Sequence, residues 1–587
     1  MSDYLFRGNL SKIDPKVKEL IQIETEKQFN KLILIPSESS SPMAIRESLG
    51  SPFQNIYAEG YPNENMRWMQ EEEILDYPSR LAHYRRYSDP RYYKGVEYVD
   101  IIESLARRRC AELFATSLHT ADDLYINVQP LSGAPANNAV YQALIEPGDT
   151  IMGMNLFHGG HLTHGSSVNR SGKLYHAVHY NVNAKTEKID YEDIEKLALE
   201  YKPRIIIAGY SSYPWIPDWK KFRSIANSIG AYLITDISHI AGLIAAKVVP
   251  SPVDYAHVVT FTTHKTLCGP RGACILTTDS KISRKIDRAV FPGEQGGPHV
   301  QVFAALATTF KLAQTNQFHK LQEQIVKNSI ALSNRLTERK IRIAFGGTNS
   351  HLLNIDCKSI KGENGASLSG DIAARILDIA GLITNRNTIP GDKSTFNASG
   401  VRLGTPWVTQ RGLIEKDMVK IADIIADLMH ATKPYAIISQ KGKSIRAKVD
   451  FDTLEKAKIK VRDLAEKAGK DQQIEHFWYP HFFYIDDYAK SSQNNNIVTF
   501  SIHGKNIRHF VNYCFSSDVE ALLPGESQKT QLRTVKGIIE GIITLVDFYH
   551  FNFSVTSDKA DLTAAWLRDL SDGYIYFDKD IYRRIPG

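Results

Sequence analysis

Residues 257–272 read His-Val-Val-Thr-Phe-Thr-Thr-His-Lys-Thr-Leu-Cys-Gly-Pro-Arg-Gly, an apolar run that reaches Lys265 and then a turn at Gly269-Pro270. Short runs rich in β-branched and aromatic residues and bounded by turn residues predict strands. Two similar runs precede this one, at 204–208 (RIIIA) and 231–235 (AYLIT), and the segment 220–228 between them has a helical pattern. Continuous apolar runs separated by helices predict strands buried on both faces of a mainly parallel sheet, and hence an α/β fold.

The 587 residues exceed what one core normally holds, which predicts about three domains. A large domain is expected over 1–330, opened by an N-terminal helix at 14–30 after Asp14-Pro15 and interrupted at 63–90 by an aromatic, charged insertion of partial helical character. A long amphipathic helix at 316–339 leads into a smaller α+β domain over 331–445. A helical linker over 446–479, with a charged helix at 453–468, precedes a segment over 480–587 in which strands and turns dominate.

Hydrophobic residues at 43% and charged residues at 23% describe a folded chain and exclude a mostly disordered one. The net charge of +6 is spread along the chain and gives no nucleic-acid footprint, so a basic run such as Arg107-Arg108-Arg109 reads as a solvated helix face. The five cysteines have no metal-ligand spacing and read as reduced thiols, with no metal expected. No uncharged apolar run of about 18 residues occurs and the start lacks an apolar signal core, so no membrane contact is expected and the cytoplasm is the expected compartment.

A lysine at a strand end is ordinarily a solvated cap. Here another strand ends upstream in Asp236, within Thr235-Asp236-Ile237-Ser238-His239. Pyridoxal phosphate needs such a pair: an amine to hold its aldehyde as a Schiff base, and an anion at its pyridine nitrogen to keep the ring electron-withdrawing. Carboxyl ends of strands are also where open α/β sheets bind ligands. The phosphate needs backbone N–H groups at a turn or helix start, and 131–138 (LSGAPANN) and 294–298 (EQGGP) offer two candidates.

From about residue 14 to 440 the chain resembles the serine hydroxymethyltransferase family, pyridoxal phosphate enzymes of the aspartate aminotransferase fold. The motifs are Ile35-Pro36-Ser37-Glu38, Tyr57-Ala58-Glu59-Gly60-Tyr61-Pro62, His158-Gly159-Gly160-His161-Leu162-Thr163-His164-Gly165, the lysine segment, and Gly400-Val401-Arg402-Leu403-Gly404-Thr405-Pro406. The resemblance implies reversible conversion of serine and tetrahydrofolate to glycine and 5,10-methylenetetrahydrofolate. It assigns catalysis to Lys265, His264, Glu59 and Tyr57. It assigns the cofactor to Ser132, Gly133, Ala134, His161, Ser211, Asp236, His239, His264, Lys265, Gly296 and Gly297. The amino acid falls to Ser37, Tyr57, Glu59 and Arg402, and folate to Leu156, Gly160, Leu162, Asn387 and Phe396. Tyr57, Glu59 and the Gly296-Gly297 loop are implied to serve a neighbouring subunit's site, so a homodimer or tetramer is expected. The close rival activity is a folate-independent aldolase acting on β-hydroxy amino acids; a non-catalytic scaffold is the rival of a different class.

Three positions depart from the family pattern: Ala134 replaces a usual serine, Lys94 a usual glycine and Thr395 a frequent proline. The tail, through Thr499–Gly504, Phe510-Val511, Ser517–Leu522, Pro524-Gly525 and Gly537–Ile539, resembles the N-terminal part of aminomethyltransferase, the folate-binding T-protein of glycine cleavage. Glu540-Gly541 lacks the second acid of that family. The tail's implied role is folate handling or dimer stabilisation, as a fused accessory domain.

Overall fold

The computed structural model describes residues 7–87, 90–362, 364–439, 442–469, 473–475, 483–487 and 497–586. Residues 88 and 89 of the expected insertion, and 470–472, 476–482 and 488–496 of the expected linker and tail, lie outside the described residues. The chain divides into two compact units, Ile33–Asp356 with Thr384–Ala422, and Met1–Leu32 with Cys357–Ile383 and Asp423–Gly587.

The first unit is built on a seven-stranded sheet. Its strands in chain order are β1 (Tyr125–Asn127), β2 (Thr150–Met154), β3 (His176–Tyr180), β4 (Ile205–Gly209), β5 (Tyr232–Asp236), β6 (Val258–Thr262) and β7 (Ala273–Thr277). They lie in the order β1-β7-β6-β5-β4-β2-β3. The run from β6 to β3 is parallel, and β7 pairs antiparallel with both β6 and β1. The three apolar runs quoted above are β4, β5 and β6, three adjacent strands. Every residue of β4 and β6 is buried. Helices cover both faces, giving one apolar cluster around Ile206, Leu233 and Phe261 and another around Ile205, Ile234 and Val258, as the alternation of side chains along a doubly covered strand requires.

The same unit carries a four-stranded antiparallel sheet of β8 (Ile343–Ala344), β9 (Leu352–Asp356), β10 (Asn385–Asn387) and β11 (Gly400–Gly404), in the order β10-β11-β9-β8. The amphipathic helix forms at Asn316–Glu338 and buries Phe318, Ile325, Leu332 and Leu336 at its 3–4 residue spacing. In the 63–90 stretch a 3-10 turn (Glu64–Trp68) and two helices (Glu71–Ile74 and Tyr77–Tyr87) form, with Met66 and Ile74 buried.

One expectation fails here. Arg107-Arg108-Arg109, on the helix Glu97–Phe114, is not a solvated face: Arg108 is buried and bonds Glu112, Asp122 and Gln70, Arg107 bonds Glu103, and Arg109 holds Glu71 and the carbonyl of Ala307. Glu103 and Glu112 come from the same helix, but Gln70, Glu71, Asp122 and the Ala307 carbonyl come from other segments, so local charge density alone misreads the run.

In the second unit, an antiparallel pair β12 (Thr432–Ser439) and β13 (Gly442–Val449) leads into the helix Phe451–Lys467. The C-terminal part is a four-stranded antiparallel sheet, β14 (Ile497–His503), β15 (Ser527–Thr534), β16 (Gly537–Asp547) and β17 (His550–Thr556), in the order β14-β17-β16-β15. Two helices, Ile507–Cys514 and Ser557–Asp572, accompany these strands. The charged helix Phe451–Lys467 has a buried side that includes Phe451, Leu454, Val461 and Leu464. On that side Lys458 Nζ sits 2.7 Å from Glu455 and 2.5 Å from Asp569 of the last helix.

Burial and the neighbouring Asp569 push the Glu455 carboxyl up, Lys458 pulls it down, and the net value is about 8. In the unfolded chain the same group ionises near 4.5. Between those values the folded chain holds a proton that the unfolded chain has released, so this contribution to stability declines as pH rises through the window. Glu455→Gln is therefore expected to flatten the fall in melting temperature between about pH 5 and about pH 8. Equal falls in variant and parent, by calorimetry, would refute the assignment.

Candidate active site

The residues singled out in the sequence converge at the carboxyl ends of the parallel strands. Asp236 is the last residue of β5, Lys265 and His264 follow β6, Ser211 follows β4, and His161 lies in the loop after β2. Ser132, Gly133 and Ala134 open the helix Gly133–Leu144. These residues, with Tyr210, Ser238, His239 and Thr262, line one cavity of about 240 Å³. At this helix start the N–H groups of Gly133 and Ala134 have no partner inside the helix and form the positive end of its dipole. A Cβ on Gly133 would come 2.8 Å from Thr262 Cγ2, so glycine is what lets the helix start approach β6.

Asp236 is buried within a network of hydrogen bonds. Its Oδ1 accepts from the backbone N–H of Ser238 at 3.0 Å, and its Oδ2 accepts from Asn137 Nδ2 at 2.9 Å and His164 Nε2 at 3.2 Å. The N–H of His161 donates to His164 Nδ1 at 3.4 Å, which leaves the ring proton on Nε2, facing the carboxylate. Burial alone would raise the Asp236 pKa, but the His164 hydrogen bond, the neighbouring His164 and His161 rings and the Ser238 hydrogen bond outweigh it, and the carboxyl is held well below the usual carboxylate range. Asn137 is itself fixed by Thr260, which donates to its Oδ1 at 2.7 Å. His161, His164 and Asp236 also bring ligand atoms within 4.8 Å of one another, but two of those atoms are already committed to this network.

Burial lowers the Lys265 amine, Asp236 raises it, and Arg402 and Arg271 lower it further, to about 8. An amine at that value is partly unprotonated near neutral pH and able to attack a carbonyl. His264 is lowered to about 3 by burial and the neighbouring Lys265 and Arg271, and its buried Nδ1 has no hydrogen-bond partner among the described residues. Burial and His164 bring His161 to about 4. His239 is pushed well below its ordinary value by burial and by Lys265 and Arg402, and its Nδ1 lies 3.2 Å from Nε2 of the buried His351. All three imidazoles are therefore neutral. The lining offers one carboxylate, one amine, neutral imidazoles and free helix N–H groups, a set that suits a ring with a basic nitrogen, an aldehyde and a phosphate. Pyridoxal phosphate fits it.

Arg402 lies on β11 and reaches the same place, donating from Nη1 to the carbonyl of Ser211 at 2.6 Å and from Nε to Asn385 Oδ1 at 3.3 Å. Burial lowers it to about 10, which leaves it charged at neutral pH. Gly404 donates to the carbonyl of Leu34 at 2.7 Å, which sets the turn holding Ser37 beside the end of β11.

Tyr57, Glu59, Gly296 and Gly297 are brought together, but outside the lining of the Lys265 cavity. Tyr57 donates to Glu59 Oε1 at 3.3 Å and packs edge-on against Tyr93. A Cβ on Gly297 would lie 2.6 Å from the Tyr57 ring, so the ring packs directly on the Gly297 backbone. The buried Arg91 fixes the 58–60 backbone through the carbonyls of Ala58 and Gly60 and is itself held by Asp100 and Glu103. Of the residues assigned to folate, Leu156 accepts a bond from Thr388 and Asn387 donates to Ser212, while Gly160 is packed against the carbonyl of Met154. Leu162 and Phe396 are exposed, Phe396 beneath Arg386.

Asn137, His164, Thr260 and His351 had no role in the sequence reading. The first three stand within stretches already singled out for other residues; a histidine in the segment 348–352 (TNSHL) was the available signal for the last.

A family model described as serine hydroxymethyltransferase matches residues 10–88 and 82–425, more than half of the chain. The two matched segments overlap at 82–88, inside the stretch read as an insertion. Five strand ends and loops of the matched region supply the cavity around Lys265 and Asp236, and the mainly parallel sheet beneath them is the one such a fold requires. The chain belongs to the serine hydroxymethyltransferase family, a family of pyridoxal-phosphate-dependent glycine hydroxymethyltransferases.

Proposed function

We propose that this chain interconverts serine and glycine, with tetrahydrofolate as the one-carbon acceptor. The observation that carries the reading is the pair at the ends of β5 and β6: an amine lowered to about 8 and a buried carboxylate held ionised. When bound, pyridoxal phosphate supplies an aldehyde that bonds to amines and a protonated ring that draws electrons from the bonds at the substrate Cα.

The chain's own residues then bind, orient and move protons. Lys265 Nζ, the amine lowered to about 8, would hold the cofactor through its aldehyde. Asp236 would hold a proton on the ring nitrogen, and His161, on the same cavity wall, would pack on the cofactor. Ser211 and His239 would hold the ring oxygen, and His264 adjoins Lys265. Ser132 and the N–H groups of Gly133 and Ala134 hold the phosphate; Ala134 offers no hydroxyl, so backbone donors carry that contact. Arg402 grips the substrate carboxylate with its two-pronged guanidinium, beside Ser37.

Glu59 moves a proton at the substrate hydroxyl, positioned by Tyr57. Because Tyr57, Glu59, Gly296 and Gly297 stand apart from the cavity of their own chain, they serve the site of a second copy, in a homodimer or a tetramer built from it. Leu156, Gly160, Leu162, Asn387 and Phe396 receive the folate.

Serine cleavage by the purified enzyme, measured with and without tetrahydrofolate, tests this reading. Turnover is expected to depend on folate. A rate that does not change when folate is withheld would assign the folate-independent aldolase instead.

A further inference from the structure

The C-terminal sheet holds a cavity of about 440 Å³. Phe500, Phe510 and Leu567 give it an apolar wall, Ser501, His503 and Lys505 lie on its polar side, and no acidic side chain lines it among the described residues.

Beside it, β14 and β17 pair antiparallel so that His503 stands opposite His550 and Ser501 opposite Asn552. Alternation along each strand puts these four polar side chains on one face. The imidazole rings are stacked, with centroids 3.9 Å apart and planes 28° from parallel. Both Nε2 atoms converge on one point, the Ser501 hydroxyl, which is 2.5 Å from His503 Nε2 and 2.8 Å from His550 Nε2. Asn552 Oδ1 lies 2.9 Å from the same nitrogen of His550.

Two imidazole nitrogens within reach of one hydroxyl, with an amide oxygen beside them, suit a borderline divalent transition ion. They do not suit Ca²⁺ or Mg²⁺, which favour carboxylates and carbonyls. Zinc–imidazole bonds are about 2.0–2.1 Å, so an ion placed where the Ser501 hydroxyl stands needs each nitrogen to close in by under about 1 Å. Ser501 clears the position by turning to another staggered rotamer.

We propose that His503 and His550 bind a divalent transition-metal ion of the zinc class, with Asn552 as an auxiliary oxygen ligand. The register of the two strands sets the nitrogen pair, so the site depends on the folded C-terminal sheet and not on the serine–glycine chemistry.

The test is Zn²⁺ titration of the full-length enzyme saturated with pyridoxal phosphate, read by competition with a chromogenic chelator. The parent is expected to bind one equivalent that His503→Ala and His550→Ala each weaken by at least about tenfold, the cost already attached to losing a mere outer-shell partner. Ser501→Ala is expected to keep the ion. Far-UV circular dichroism and serine turnover, both expected to be unchanged, separate loss of a ligand from loss of the fold. Zinc affinity that is the same in the parent and both histidine variants overturns the proposal.

Discussion

Lys265→Ala is expected to lower serine-to-glycine turnover by at least about 10³-fold, the scale on which removal of a covalently acting side chain is felt. The amine stands at the end of β6, and burial with the nearby arginines has already brought it to about 8. Alanine leaves the helix N–H groups and Asp236 in place, so cofactor is retained only by its non-covalent contacts and the visible band of the lysine-bound form is lost. Lys265→Arg separates charge from nucleophilicity: it restores a cation beside Asp236, but a guanidinium stays protonated and cannot attack the aldehyde. Both variants are expected to be equally inactive at an unchanged melting temperature. Turnover within tenfold of the parent in either variant would remove Lys265 from the chemistry.

Asp236→Asn is expected to reduce turnover by about 10²–10³-fold, as removal of a single preorganised electrostatic group does elsewhere. The carboxylate uses both oxygens as acceptors, one for the Ser238 N–H and the other for Asn137 and His164. Asparagine offers one acceptor and places an amide against donors on the other side, so it loses the negative charge and disturbs the network together. The spectrum distinguishes the two effects. Loss of charge alone leaves cofactor bound through Lys265 with a deprotonated ring, whereas a collapsed network also lowers affinity for the cofactor. A variant with parental kcat/KM would show that the ring nitrogen does not depend on this residue.

The sheet and the centre of the site were legible because their signals are local. β4, β5 and β6 are each a short apolar run ended by polar residues, and Asp236 and Lys265 are the groups at those ends. Contacts between distant segments were not legible. The bond from Thr260 to Asn137 spans 123 residues, and no pattern along the chain announces it. The same reason defeats the reading of Arg107-Arg108-Arg109: a run of three cations looks solvated until Glu71 and Asp122 fold against it.

The helix Phe451–Lys467 shows the converse case. Its charges suggested a linker, yet Lys458 is buried between Glu455 and Asp569, an acid that arrives from more than a hundred residues away. His503 and His550 meet only through the register of β14 and β17, which strand periodicity alone does not specify. Tyr57 and Glu59 were legible as residues, and the family resemblance already implied a neighbouring subunit's site for them; their contacts with Gly296 and Gly297, more than two hundred residues away, were not legible.

The most direct measurement traps the cofactor on the amine that holds it. The enzyme saturated with pyridoxal phosphate is reduced with borohydride, digested, and its peptides are mapped by mass spectrometry. The pyridoxyl label is expected on the peptide containing Lys265 and on no other. A label on a different side chain, or a protein that takes up no label at all, would contradict the assignment of this strand end as the catalytic centre.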